Sequence, residues 1–162
     1  MTPRVLPSVP ADRPVIREIL LNSDLFKLTD ADCVDEMFKD AQAKPTPDNY
    51  RFLSGWMGDA MVGFACYGQE SLTYGTWDLF WVCTFNNTRR LGVGGALLRE
   101  AVKVATAEGG RLMVIYTSGT PIYQAARRLY EAHHFARVAT VPEYYNVGDD
   151  LHIYSRKLQE PT

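Results

Sequence analysis

The sequence predicts an α+β fold. It reads as a single α/β three-layer domain, with a mixed, mostly antiparallel central sheet of about seven strands flanked by about four helices. Three observations carry this. Gly58-Asp59 separates two strand-like runs, 50–57 and 60–68, which is the pattern of a hairpin. Residues 76–85 alternate like a strand and are followed by a helical pattern and then an apolar strand, which is the pattern of a crossover. Hairpins and crossovers in one chain of 162 residues require a mixed sheet covered by helices.

The element order is a strand, two helices, three strands, a helix, a strand, a helix and two strands. Proline-rich stretches at 3–14 and 45–48 read as connections. Residues 12–22 form the first helix, with Asp12 as N-cap, Pro14 in the first turn, and Ile16, Ile19 and Leu20 at helical spacing. Thr29 is read as the N-cap of the second helix, with Asp32 three residues on and a stripe of Val34, Met37, Phe38 and Ala41. Strand 76–85 is expected to place Trp77, Leu79, Trp81 and Cys83 on one face, and Asp78, Phe80, Val82 and Thr84 on the other. Helix 94–107 carries Leu97, Leu98, Ala101, Val102 and Ala105 on one face and stops at Gly109-Gly110. Strand 111–117 follows, then helix 122–134 with Ala126, Leu129, Tyr130 and His133 aligned. Strands 137–141 and 151–158 are expected last, joined by a loop containing Tyr144, Tyr145 and Gly148-Asp149-Asp150.

Composition narrows the function classes. Apolar residues make up 46% and charged residues 22%, enough to bury a core. Seventeen Lys and Arg against nineteen Asp and Glu leave a formal charge of −2, so no basic footprint points to nucleic acid or an anionic membrane. The longest apolar runs, such as Leu79 to Cys83, fall far short of the roughly 20 residues of a membrane span, and the start of the chain does not resemble a signal peptide. Cys33, Cys66 and Cys83 are odd in number and form no CxxC, which argues for a reducing compartment and against a metal site. His133, His134 and His152 form no metal set; the first two suit a helix C-terminus. The expectation is a cytoplasmic protein.

The stretch Arg89-Arg90-Leu91-Gly92-Val93-Gly94-Gly95-Ala96 follows the best strand and opens the best helix. A helix start leaves backbone N–H groups unpaired with partial positive charge, and glycine lets an oxyanion approach them closely. That arrangement holds a pyrophosphate. It is not a P-loop, because the Lys and Ser/Thr of that motif are missing. The dinucleotide fingerprint begins with Gly92 and Gly94 but meets Leu97 at its third glycine. What remains is R-x-x-G-x-G, made by Arg89, Gly92 and Gly94.

This segment resembles the acyl-CoA signature of the GNAT superfamily of N-acetyltransferases. Three further stretches are similar to the family. Residues 79–84 look like its fourth strand and 111–117 like its fifth. Ala126 to Phe135 resembles its "A…LYEKxGF" helix ending. The resemblance is specific over 77–158; over the first 75 residues it rests on element order. It implies one N-acetyltransferase domain over 1–162, with an acceptor-side half at 1–75 and an acyl-CoA-binding half at 76–158. It also implies acetyl-CoA as co-substrate with no metal, a small-molecule or peptide amine as acceptor, and a possible homodimer.

The roles it implies are as follows. Backbone N–H groups of Arg89, Arg90, Leu91, Gly92, Val93, Gly94 and Gly95 hold the pyrophosphate, and the two Arg side chains add charge-assisted contacts. Backbone groups of Val82 and Thr84 pair with pantetheine, and the Val82 N–H faces the developing oxyanion. Tyr130 stands where the family places a general acid for the departing thiolate; a phenol of pKa about 10 is protonated at neutral pH. Asp78 is the candidate base, directly or through water. As alternatives it is a strand-start residue or an anchor for the acceptor amine.

Departures from the family pattern leave the acceptor open. Arg90 stands where relatives often have Gly, Tyr123 where an Asn usually opens the helix, His134 in place of the Gly before Phe135, and Ile115 and Tyr116 where some amine acetyltransferases carry a Glu. Phe26, Tyr74, Trp77, Tyr144 and Tyr145, with Glu70, Glu143, Asp149 or Asp150, are the acceptor-side candidates. Cys83 and Ser118 lack the partners or elbow of a nucleophile. A non-catalytic acyl-CoA-binding sensor or interaction domain is the alternative function, and a dinucleotide-binding domain a second.

Overall fold

The computed structural model describes residues 1–159. Its order is β1 (Arg4–Pro7), α1 (Arg13–Asn22), α2 (Leu28–Ala43), β2 (Arg51–Met57), β3 (Ala60–Gln69), β4 (Thr76–Thr84), α3 (Val93–Ala107), β5 (Leu112–Ser118), α4 (Gln124–Ala132), β6 (Ala136–Asn146) and β7 (Asp149–Lys157). The seven strands form one sheet in the order β1-β2-β3-β4-β5-β7-β6. β4 and β5 are its parallel pair, joined by the α3 crossover; every other neighbouring pair is antiparallel. The mixed, mostly antiparallel three-layer fold expected from the sequence is the fold observed.

Each layer follows from an apolar stripe. α1 and α2 turn Ile16, Ile19, Leu20, Val34 and Phe38 onto Phe52, Phe64 and Cys66 of the sheet. Arg13 clamps the two helices by donating to both carboxylate oxygens of Asp35, at 2.6 and 2.8 Å. On the opposite face α3 buries Leu97, Leu98 and Ala101 against Trp77, Leu79, Met113 and Ile115. Each such side chain contributes about 1.5–3 kcal/mol when fully buried.

Local expectations were refined at the helix ends. Asp12 is the residue before α1, but its carboxylate caps nothing in that helix. It accepts instead from the Val9 N–H (3.0 Å) and the Ser54 hydroxyl (2.8 Å), tying the first turn to β2. α2 begins earlier than expected. Lys27 is its N-cap, and Asp30 accepts the Lys27 N–H at 2.8 Å; Thr29 lies inside the helix and Asp32 pairs with Arg17. α4 is shorter than expected, preceded by a 3-10 turn at Pro121–Tyr123. Beyond its end His134 takes φ +68°, the conformation in which helices usually place Gly. The histidines do terminate the helix, since the His133 ring Nδ1 bonds the Leu129 carbonyl at 2.9 Å.

Two strands differ more. The alternation expected of β4 breaks at Phe80. Cys66 pairs with Trp81 but Tyr67 pairs with Leu79, so Phe80 is an extra residue, a β-bulge. One inserted residue reverses the side-chain phase. Trp77 and Leu79 therefore pack toward α3 together with Val82, whereas Trp81 and Cys83 pack toward α1 and α2. The second correction is β6, which runs on to Asn146. Pro142, Tyr144 and Tyr145 belong to the strand, not to a loop. The register shifts between Val141 and Asn146, and an edge strand tolerates the N–H that Pro142 lacks.

Candidate functional site

The sheet opens where β4 and β5 part. Their pairing runs from Thr76↔Leu112 to Leu79↔Ile115 and then ends. β5 continues on β7 through Ser118, and β4 continues on β3 through Thr84. Val82 and Thr84 lie on the stretch of β4 that no described strand pairs on its β5 side. The gap is thus a slot through the sheet with unpaired backbone along one wall. The expectation that Val82 and Thr84 share a face with Asp78 and Phe80 is corrected by the bulge. Val82 points to the α3 face, and Asp78, alternating with Trp77 and Leu79, points to the other.

The slot leads to the start of α3. Gly92 is the residue before the helix, with φ +86°, and Arg90 is also left-handed, with φ +72°. The first backbone bond into the helix is Ala96 N–H to Gly92 C=O at 3.0 Å. Among the described residues the N–H groups of Arg90, Gly92, Val93, Gly94 and Gly95 have no backbone acceptor. Arg89 and Leu91 donate only long bonds, of 3.4 Å to Asn86 and 3.3 Å to Thr88. Five free amides at a positive helix end form a cradle of a kind that suits an anion. The exposed Arg89 and Arg90 side chains pair with no carboxylate among the described residues.

Two glycines that the sequence reading did not single out anchor this cradle. A Cβ on Gly55 would stand 2.6 Å from Val93 Cγ1. A Cβ on Gly63 would stand 2.9 Å from Thr84 Cγ2, 3.0 Å from the Cys83 carbonyl and 3.1 Å from Val93 Cγ1. Glycine inside a strand signals a close approach, and here the approach is that of the first residue of α3.

Tyr130 stands on the α3 side of the sheet, 8% exposed, with the Tyr154 ring edge-on at 6.0 Å. Its hydroxyl makes no hydrogen bond with the described residues. Burial, then the neighbouring Cys83 thiol and the phenols of Tyr123, Tyr145 and Tyr154, push its pKa well above the ordinary value. It is a proton donor throughout the physiological range. Burial pushes the Cys83 thiol up to about 12, so it is no thiolate nucleophile.

Asp78 lies on the other face, 4% exposed, between Gly68 of β3 and Val114 of β5. Its hydrogen-bonding neighbour is the Glu70 carboxyl. Burial first, and Glu70 second, raise its pKa to about 7. The acceptor-side candidates divide. Trp77 is core, at 1% exposure, and lines nothing. Asp149 accepts from Ser118, Asp150 from the Glu143 N–H, and Glu143 from the Gly148 N–H, so these three build the β6–β7 hairpin and its junction with β5. Phe26 packs edge-on against Trp81 at 5.3 Å, and Tyr144 against Tyr145 at 5.0 Å. Tyr116, hidden in an apolar strand pattern, is 56% exposed on the Asp78 face and was not among the candidates. No group of metal-ligating side chains occurs among the described residues. None of the helices is long and apolar enough to cross a membrane.

The seven-strand mixed sheet with a slot between its parallel strands is a fold shared with known acetyltransferases. A sequence model of the acetyltransferase (GNAT) family matches residues 17–135, and the chain belongs to that family, whose members are N-acetyltransferases. A Desulfovibrio desulfuricans protein attributed to the GNAT family is similar at 31% identity, over 98% of this chain and 100% of that one, with a TM-score of 0.91. Two more distant structures share the fold. One is the ribosomal-protein-S18-alanine N-acetyltransferase from Escherichia coli, at 17% identity, 99% and 97% coverage and TM-score 0.78. The other is a Salmonella typhimurium protein with its cofactor acetyl-CoA, at 19% identity, 100% and 97% coverage and TM-score 0.79. No curated protein matches the sequence.

Proposed function

We propose that this enzyme transfers the acetyl group of acetyl-CoA to a primary amine of a small molecule or peptide by direct attack. The observation that carries the reading is the set of unpaired amides of Arg90 and of Gly92 to Gly95 at the mouth of the β4–β5 slot. These amides, with Arg89 and Arg90, suit the pyrophosphate, and the free edge at Val82 and Thr84 suits the pantetheine amides. The Val82 N–H serves the oxyanion. The acceptor approaches from the Asp78 face, shaped largely by the first 75 residues, and the thioester from the Tyr130 face.

Asp78 takes one proton from the incoming ammonium. The neutral amine then forms the C–N bond while the C–S bond breaks and its electron pair leaves on sulfur. Tyr130 protonates that sulfur, and the second nitrogen proton passes to water. Holding both reactants in line supplies most of the acceleration. Calorimetry with acetyl-CoA and NAD, and a thiol-release assay over an amine and peptide panel, test the reading. Acetyl-CoA is expected to bind, NAD not, and free thiol to appear with an amine. Absence of acyl-CoA binding overturns the family ligand for this chain, and binding without turnover leaves a sensor.

A further inference from the structure

We propose that Glu70 is a positioning residue for the proton transfer, the second carboxyl of a pair with Asp78 that holds one proton between them. The proposal rests on Asp78 as the base. The ladder between β3 and β4 pairs Gly68 with Asp78 and Gln69 with Trp77, and the Glu70 N–H continues it by donating to Thr76 C=O at 2.8 Å. Alternation puts Gly68, Glu70, Thr76 and Asp78 on one face. Glu70 and Asp78 are diagonal neighbours across the pair, a separation that side chains of this length close. Gly68 offers no side chain to stand between them. Asp78 is 4% exposed, and the Glu70 carboxyl is its hydrogen-bonding neighbour. A buried carboxyl favours its protonated form, and a second carboxyl beside it favours that form further.

The surroundings supply no counter-charge. β3 presents Glu70 and the buried Cys66 thiol, and β5 presents the Tyr116 phenol. Tyr50 reaches the area through its ring on Phe80 at 5.5 Å. α3 lies on the opposite face, and α1 reaches the sheet through the Trp81 and Cys83 end, with Arg13 and Arg17 engaged by Asp35 and Asp32. Burial first, and the Glu70 carboxyl after it, push the Asp78 pKa up to about 7. With both carboxyls ionised, above about pH 7, the pair carries two negative charges and meets an acceptor arriving as an ammonium ion. It takes one proton from that ion and holds it between the two carboxyls, leaving the pair singly charged as the amine becomes nucleophilic.

The test needs no known acceptor. Carboxyl 13C titration of the full-length protein, with Asp78 assigned by its loss in Asp78→Asn, is compared with Glu70→Gln. Asp78 is expected to titrate near 7. Glu70→Gln, nearly isosteric and at a surface position, is expected to lower that value by about one pH unit. An unchanged titration overturns the proposal. In turnover of 1,4-diaminobutane or n-butylamine, the acid limb of kcat/KM is expected to move down with it. An acid limb that persists in Asp78→Asn removes Asp78 as base, a failure distinct from that of the carboxyl pair.

Discussion

At the scale of single residues the site works against the fold. Asp78 is protonated in the folded chain up to about pH 7. In the unfolded chain it ionises near its ordinary value of 3.8. Between those values the native state binds more protons, so stability falls as pH rises through the window. Asp78→Asn keeps the shape and removes the charge. Unfolding measured at about pH 8 is expected to show a gain of about 1–3 kcal/mol, shrinking towards pH 4, while thiol release is lost. A gain independent of pH would mean that the buried charge is not its source. Tyr130→Phe works differently, because the core loses one hydroxyl with no internal partner. Acetyl-CoA affinity is expected to hold while kcat falls about 10–100-fold, a modest factor because a thiolate is already a stable leaving group. Unchanged kcat removes Tyr130 from the chemistry. The motifs single out Asp78 and Tyr130 as candidates, and Glu70 stands among the acceptor-side carboxylates, but neither its place beside Asp78 nor the exposure of Tyr116 was legible. Nothing in a one-dimensional pattern says that 70 lies diagonal to 78, or that an aromatic in an apolar strand faces outward.

At the scale of elements the departures from the family pattern acquire a physical meaning. Arg90 and His134 both stand where glycine is common, and both are left-handed, at φ +72° and +68°. Each L-residue there costs about 1–2 kcal/mol, partly offset because glycine loses more freedom on folding. His134→Gly is therefore expected to raise the unfolding temperature by about 1–4 °C without altering kcat. A decrease would show that the His134 side chain outweighs its backbone. The strands β2 and β3 matter for a different reason, since they seat α3. Gly63→Ala is expected to cost about 1–3 kcal/mol and to weaken acetyl-CoA binding, because Val93 and Thr84 must both yield. Stability loss with unaltered affinity would separate the seat from the cradle. Helix and strand identities were readable from periodicity. The β4 bulge was not, because 79–83 is apolar on both faces and its phase leaves no trace. The end of β6 was hidden for another reason: Pro142 carries turn chemistry inside the strand, and Gly148 marks the turn only after Asn146.

At the scale of the molecule the sheet is a partition. In the proposed reaction the acyl donor and amine acceptor enter from opposite faces and meet where β4 and β5 separate, so the order of strands itself aligns them. The charge distribution follows this division. The chain carries a net −2, yet Arg89 and Arg90 stand exposed beside the free amides and pair with no carboxylate among the described residues, while Glu70 and Asp78 hold the other face. Exposed charges act over a Debye length of about 8–10 Å, so the basic pair draws a phosphate-rich ligand to one mouth and little else. Acetyl-CoA affinity is therefore expected to fall as salt is raised from about 50 to 500 mM. In the Arg89→Gln/Arg90→Gln double variant, affinity is expected to be about 5–50-fold lower at the low-salt end and nearly flat across the range, since the amide cradle remains. The stabilisation produced by saturating acetyl-CoA should shrink in the same variant by RT ln of that ratio, about 1–2 kcal/mol, because ligand stabilisation follows RT ln(1 + [L]/Kd). Equal salt slopes in the two proteins would assign the electrostatic attraction to the helix start alone and leave the arginines as surface.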